Sequence, residues 1–161
     1  MTALSGVAGE RVRFTVPGVP VAAARPRMTT VGGFARAYSP KSNVEYAELV
    51  RLAFEREHPG FVPVGRGVPI MLEATFRFPR PKSHFGTGKN ADRLKVTAPR
   101  WHVVKPDVDN LLKLVKDALK GVAWHDDSQV CAYGDVLKLY VDSFCPVPGT
   151  AIVLEALEPV E

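Results

Sequence analysis

No apolar run in this chain approaches the roughly 20 residues that a membrane-spanning helix needs, so no segment reads as a bilayer span. The first residues, MTALSGVAGERVRF, place no long apolar core after a basic start, and no secretory signal is expected there. Cysteine is scarce. Cys131 and Cys145 stand far apart and form no CxxC pair, which suggests reduced, partly buried thiols in a cytosolic protein. The four histidines are scattered at 58, 84, 102 and 125, which argues against a zinc site. Acid is scarce in one long stretch. From Arg77 to Lys105 there are eight basic residues and one carboxylate, Asp92.

What is present fits a soluble globular protein. At 161 residues the chain is long enough for one domain with a substantial core. Its 46% hydrophobic and 24% charged residues support the same class. The net charge of +4 makes a polyanion, most commonly nucleic acid, a natural partner.

Periodicity divides the chain without suggesting repeats or a linker. Residues 1–10 read as disordered, and one domain is expected over 11–161. Val12, Phe14 and Val16 alternate as in a strand. Pro17-Gly18 turns the chain, and a loop or hairpin with Gly32-Gly33 at its tip carries Arg25, Arg27 and Arg36. Ser39-Pro40 predicts a helix start with a capping hydroxyl, and the helix should run to about Glu57. Ile70 to Phe78 is the clearest strand. The proline- and glycine-bearing segment at about 79–104 predicts a basic, mobile loop. A helix is expected from about Asp109 to Lys120, with Leu111, Leu112, Val115, Ala118, Leu119 and Val122 inward. Strands are expected at Ser128 to Tyr133 and Val136 to Val141, interrupted at Gly134-Asp135, and again at Ala151 to Leu157. The last two could pair across a dimer interface or lie within one chain's own sheet.

The segment KPDVDNLLKLVKDALKGVAWHDDSQV carries the chemistry. It holds two acidic pairs, Asp107 with Asp109 and Asp126 with Asp127. Carboxylates brought to one spot repel each other unless a divalent cation sits among them, and Mg²⁺ or Mn²⁺ suits oxygen donors. In an extended segment residues i and i+2 share a face, so Asp107 and Asp109 could converge just before the helix. A single aspartate there is more often an N-cap, but the second pair weakens that reading. Lys113 stands four residues after Asp109. It could form a surface ion pair, or it could stabilise charge building on a phosphate. His125 could act as a general base, although a half-exposed loop histidine is the commoner case. Trp124 reads as core, and Phe85 and Trp101 could stack on bases.

These residues resemble the RusA-type Holliday-junction resolvases: aspartate-x-aspartate-asparagine-leucine, a helix, then aspartate-aspartate and glutamine-valine. PGVPV, ARPR and YSPK near the N-terminus extend the likeness. The resemblance implies a single α/β (α+β) domain with a mixed β-sheet flanked by helices. It also implies a homodimeric, Mg²⁺-dependent endonuclease (Mn²⁺ may substitute) that cuts branched DNA, the four-way junction, and that is often encoded by phages or prophages. By position Asp107, Asp109 and Asp127 match the family's catalytic and metal-binding aspartates, Asp126 is a weaker metal candidate, and Lys113 matches the catalytic lysine. Arg25, Arg27, Arg80, Lys82, Lys89, Arg93, Lys95, Arg100 and Lys105 would hold DNA phosphates. Two departures stand out: Ala24 replaces a frequent glycine before Arg-Pro-Arg, and Gly134-Asp135 breaks a strand that the family continues to a lysine and an aromatic, here Lys138 and Tyr140. A DNA-binding protein without cleavage activity is the main alternative, and a small-molecule phosphohydrolase a weaker one that the long basic segment disfavours.

Overall fold

The computed structural model describes residues 9–158. The expected disorder at 1–10 falls mostly outside that range. Four strands form one mixed sheet in the order β1-β6-β4-β5: β1 Arg11–Pro17, β4 Ile70–Phe78, β5 Val130–Tyr140 and β6 Gly149–Ala156. A separate two-stranded hairpin is made of β2 Arg27–Val31 and β3 Phe34–Tyr38. Two helices complete the α+β domain: α1 Lys41–Glu57 and α2 Val108–Leu119.

Alternation in the sequence explains which face of the sheet is covered. Along β4 the even residues Ile70, Leu72, Ala74, Phe76 and Phe78 are buried, and the odd ones between them are half-buried. The buried face joins Val12, Phe14 and Val16 of β1 and Ile152 and Leu154 of β6 to Tyr46, Val50 and Phe54 of α1 and the inner stripe of α2 in one core. Phe54 sits at its centre, with its ring edge-on to Phe14 at 5.2 Å and to Phe61 at 5.0 Å. On the opposite face Arg11 bridges Glu73 at 2.9 Å and Glu155 at 3.2 Å.

β4 and β5 are parallel, so the chain must cross over between them, and α2 lies in that crossover. β6 is antiparallel to both β1 and β4. With both edges already paired, β6 is unavailable to a second copy, which settles one of the two readings of the Ala151 to Leu157 segment. The interruption expected at Gly134-Asp135 does not end the strand. β5 runs through it, and the interruption takes the form of a bulge: the register with β4 slips between Leu72 and Ala74, where Glu73 alone faces Gly134 and Asp135, and it slips once more between Ile70 and Met71. A Cβ at 134 would stand 2.6 Å from the Glu73 side chain, so that side chain would have to shift to admit one. β5 thus continues past the bulge to Lys138 and Tyr140.

Two local expectations differ in detail. Ser39 does not cap α1: Pro40 occupies the cap position and no side chain bonds to the free amides. Cys131 is exposed rather than partly buried, and Cys145 is half-buried.

The 79–104 segment is irregular but knitted to the domain. The Gly86 amide donates to the Arg93 carbonyl and the Lys95 amide to His84, each at 2.9 Å. Residues 100–102 lie along the outer edge of β5, with the Tyr140 amide donating to Arg100 at 3.0 Å and the His102 amide to Lys138 at 3.1 Å. His102 is 8% exposed and stacks on Phe78 at 4.0 Å, and its Nδ1 has no partner. Burial, aided by the Lys138 charge, lowers its pKa from the ordinary 6.5. The unfolded chain therefore binds the proton more readily than the folded one. Stability from this residue is fully present above about pH 6.5 and is lost as the pH falls toward the folded value. The melting temperature should drop between pH 7 and pH 5, and His102→Phe should flatten that drop. An unchanged pH profile in the variant would contradict this.

Candidate active site

α2 is a two-faced helix. Leu111, Leu112, Leu114, Val115, Ala118 and Leu119 are buried, and Asp109, Lys113 and Asp117 form an exposed stripe at four-residue spacing. Asp107 is the residue before the first turn, in extended conformation, and its carboxylate caps nothing. The helix begins at Val108, so Asp109 is already inside the first turn. The two aspartates therefore do not share one extended segment: Asp107 precedes the helix and Asp109 lies in its first turn, near the N-terminus as expected. Both favour the positive end of the helix dipole. The peptide bond between Lys105 and Pro106 is cis.

The chain leaves α2, turns at Gly121, and returns through Trp124 to a single 3₁₀ turn, Asp127–Gln129. This return brings Asp127 to the exposed stripe of α2. Asp109, Lys113, Lys116, Asp117, Asp127 and Tyr133 line one open hollow of about 340 Å³. Trp124 is fully buried, and its indole Nε1–H donates to Asp127 Oδ1 at 2.9 Å. The tryptophan is thus core, as its sequence suggested, and it also fixes one oxygen of the carboxylate. Lys116 Nζ donates to the Tyr133 hydroxyl at 3.2 Å.

Lys113 is left free for other work. Among the described residues it makes no salt bridge and no side-chain hydrogen bond, and the ion pair with Asp109 that the spacing permits is not formed. Asp107 and Asp109 likewise have no side-chain partner there. Three oxygen-donor carboxylates suit a hard cation such as Mg²⁺. Yet among the described residues no three metal-ligating side chains stand close enough to form a ready-made cage.

Asp126 is placed differently from its neighbour. Its carboxylate accepts the Ser128 amide at 2.9 Å and lies 3.9 Å from Lys120. These bonds to Ser128, more than the nearby charges, lower its pKa. It lines a second hollow with Arg66, His125 and Cys131. Asp126 is the extended residue before the 3₁₀ turn and Asp127 the first residue within it, and the two line different hollows.

Gln129 organises this turn, a role the sequence reading missed. It is 8% exposed. Its Oε1 accepts the amides of His125 at 2.9 Å and Asp126 at 3.0 Å, and its Nε2 donates to the carbonyls of Gly65 at 2.8 Å and Val68 at 3.2 Å. The signal was there: aspartate followed three residues later by glutamine is a capping box. Lys116, Asp117 and Tyr133 were also missed. The first two follow from extending the Asp109–Lys113 stripe by one turn, whereas Tyr133 comes from β5 and is visible only in the fold.

Of the expected DNA-contacting residues, Arg25, Arg27, Lys82, Lys89, Arg93, Lys95, Arg100 and Lys105 are exposed. Arg80 is half-buried. It donates through Nε to the Val141 carbonyl at 2.8 Å and through Nη1 to Pro99 at 2.7 Å, which ties the basic segment to the sheet. Phe85 is half-buried, and Trp101 is 50% exposed beside Arg100.

Gln129→Ala would strand two amides and two carbonyls. It should cost at least about 2 kcal/mol, read as a lower urea midpoint at unchanged slope. A midpoint equal to the parent's would show that water replaces the glutamine.

Comparison with known proteins places the chain in a family. The chain is 34% identical over 119 residues to the uncharacterized protein YqaN of Bacillus subtilis (strain 168), covering 74% of this chain and 81% of that protein. A family model described as endodeoxyribonuclease RusA matches residues 17–146, a span that holds the hairpin, both helices and both acidic pairs. This chain therefore belongs to the RusA endodeoxyribonuclease family.

Proposed function

We propose that this protein is a divalent-cation-dependent endonuclease that resolves four-way DNA junctions by paired cuts, with its catalytic centre in the hollow beside α2. The observation that carries this reading is Lys113, an unpaired cation sharing one open hollow with Asp109 and Asp127. Family membership supports the DNA substrate.

Asp107, Asp109 and Asp127 would hold Mg²⁺ or Mn²⁺. A cation bound by carboxylates supplies a water of lowered pKa and a Lewis acid for the phosphoryl oxygen. Trp124 keeps the Asp127 oxygen aimed rather than free to rotate. Lys113 presents its ammonium to the phosphate from the same helix face and neutralises charge that grows as phosphorus is attacked. Asp117, one turn further on, lines the same hollow. The exposed cations of the 79–105 segment hold backbone phosphates, with Lys105 two residues from Asp107. The products expected from the family resemblance are a 5′-phosphate and a 3′-hydroxyl.

Asp107→Asn, Asp109→Asn and Asp127→Asn should each abolish cutting while keeping junction binding, because a lost carboxylate weakens the cation site and reduces repulsion toward phosphate. Lys113→Ala should lower the cleavage rate about 10²–10³-fold. Asp126→Asn should cut nearly as the parent does, since its carboxylate serves the cap and faces another hollow. Single-turnover cleavage of a labelled junction, with Mg²⁺ or EDTA, measures all five. Full activity in EDTA, or near-normal cutting by Asp127→Asn, would overturn the assignment.

Paired cuts need two equivalent centres, which a two-fold homodimer supplies. Sedimentation at micromolar concentration should give twice the 17.6 kDa chain mass. A monomer that persists on junction DNA would leave only a single-nick nuclease.

A further inference from the structure

The β2–β3 hairpin takes no part in the sheet or the core. All ten of its strand residues are exposed. An isolated two-stranded hairpin is marginally stable in water, so such an element gains most when something covers it. Its tip is nonetheless well defined: Gly32 and Gly33 both take positive φ, 61° and 82°, as a tight two-residue turn requires.

The two faces of the hairpin differ. Arg27 pairs with Tyr38, Thr29 with Arg36 and Val31 with Phe34, so these six side chains share one face. The other face carries only Met28, Thr30, Ala35 and Ala37. The first face thus combines two guanidinium groups with two aromatic rings, Phe34 at 77% exposure and Tyr38 at 47%. From Pro17 to Val44 there are four basic residues and no carboxylate to neutralise them.

The root of the hairpin is fastened to the candidate catalytic helix. The Ala23 amide donates to the carbonyl of Asn110, the residue after Asp109, at 2.9 Å. Asn43, buried in α1, accepts the Ala24 amide at 2.8 Å and donates to the Ala22 carbonyl at 3.1 Å. These bonds fix the start of the arm against the first turn of α2, and the strands extend from there into solvent.

We propose that this hairpin is an arm that grips DNA at the branch point, with Arg27 and Arg36 on backbone phosphates and Phe34 stacked on a base exposed where the helical stack is broken. The inference rests on the reading of the α2 hollow as a junction nuclease and adds the element that recognises the branch. Charge decides the occupant. If two copies packed this face against itself, a two-fold axis would set the unneutralised arginines of one beside those of the other. A phosphate backbone neutralises them, and every base offers a ring face to an aromatic side chain.

The test measures binding of the whole protein, in EDTA, to a four-way junction and to a linear duplex of the same length. Phe34→Ala should weaken junction binding about ten-fold and leave duplex binding unchanged. Phe34→Trp, which keeps a ring at the tip, should bind the junction as the parent does. Arg36→Glu should weaken binding to both DNAs and lower the slope of log affinity against log salt by about 0.9. Because binding is read without the cation, the outcome does not depend on whether the hollow cuts, which cleavage with Mg²⁺ reports separately. Junction affinity unchanged in Phe34→Ala, or a fall in sedimenting mass in that variant, would overturn the arm; the second result would assign this face to a second copy of the chain.

Discussion

The burial of one side of α2 is the constraint on which the site depends. Six of its twelve residues enter the core, and a helix with that much apolar surface has one stable rotation against the sheet. The same packing that hides Leu111 and Val115 therefore sets Asp109, Lys113 and Asp117 outward in a row. Each fully buried aliphatic side chain contributes about 1.5–3 kcal/mol. That is ample to hold three exposed charged groups on the opposite side. The charges need no bonds of their own to stay in place, and this leaves Lys113 unpaired and available.

The return from α2 to β5 supplies the rest. A parallel neighbour for β4 requires a crossover, and α2 is that crossover. The chain must then come back along the helix, and Asp127 is carried to the Asp109 stripe on the way. Two buried side chains make the return definite: Trp124 bonds to Asp127, and Gln129 closes the turn from below. Asp109 and Asp127 are thus brought to one hollow by hydrophobic packing and backbone satisfaction.

Much of this was legible in the sequence. The limits of β4 follow from strict alternation, and those of α1 and α2 from helical periodicity and the flanking prolines and glycine. Less was legible where two physical solutions compete. Gly134-Asp135 reads as a break because glycine weakens strands, whereas the fold makes it a bulge opposite Glu73 within a strand that continues. Asp126 and Asp127 are indistinguishable by type. Which one faces the hollow depends on a 3₁₀ turn whose Gln129 side chain donates to the carbonyls of Gly65 and Val68, far away in the chain. Arg80 looked like one more cation of a basic loop, yet its guanidinium is bound to carbonyls on either side. Only the tertiary structure separates a cation that holds the loop from one that is free to hold DNA.

The central claim is that the α2 hollow cuts junctions in pairs at the branch. It is tested most directly by incubating the protein and Mg²⁺ with a synthetic four-way junction and an equal-length duplex, mapping the cuts, and treating the products with DNA ligase. The account predicts symmetric cuts in two opposing strands of the junction, nicked duplex products that ligase seals, and an intact linear duplex. A junction that is bound but left uncut with Mg²⁺ or Mn²⁺, or a duplex cut as fast as the junction, would contradict it.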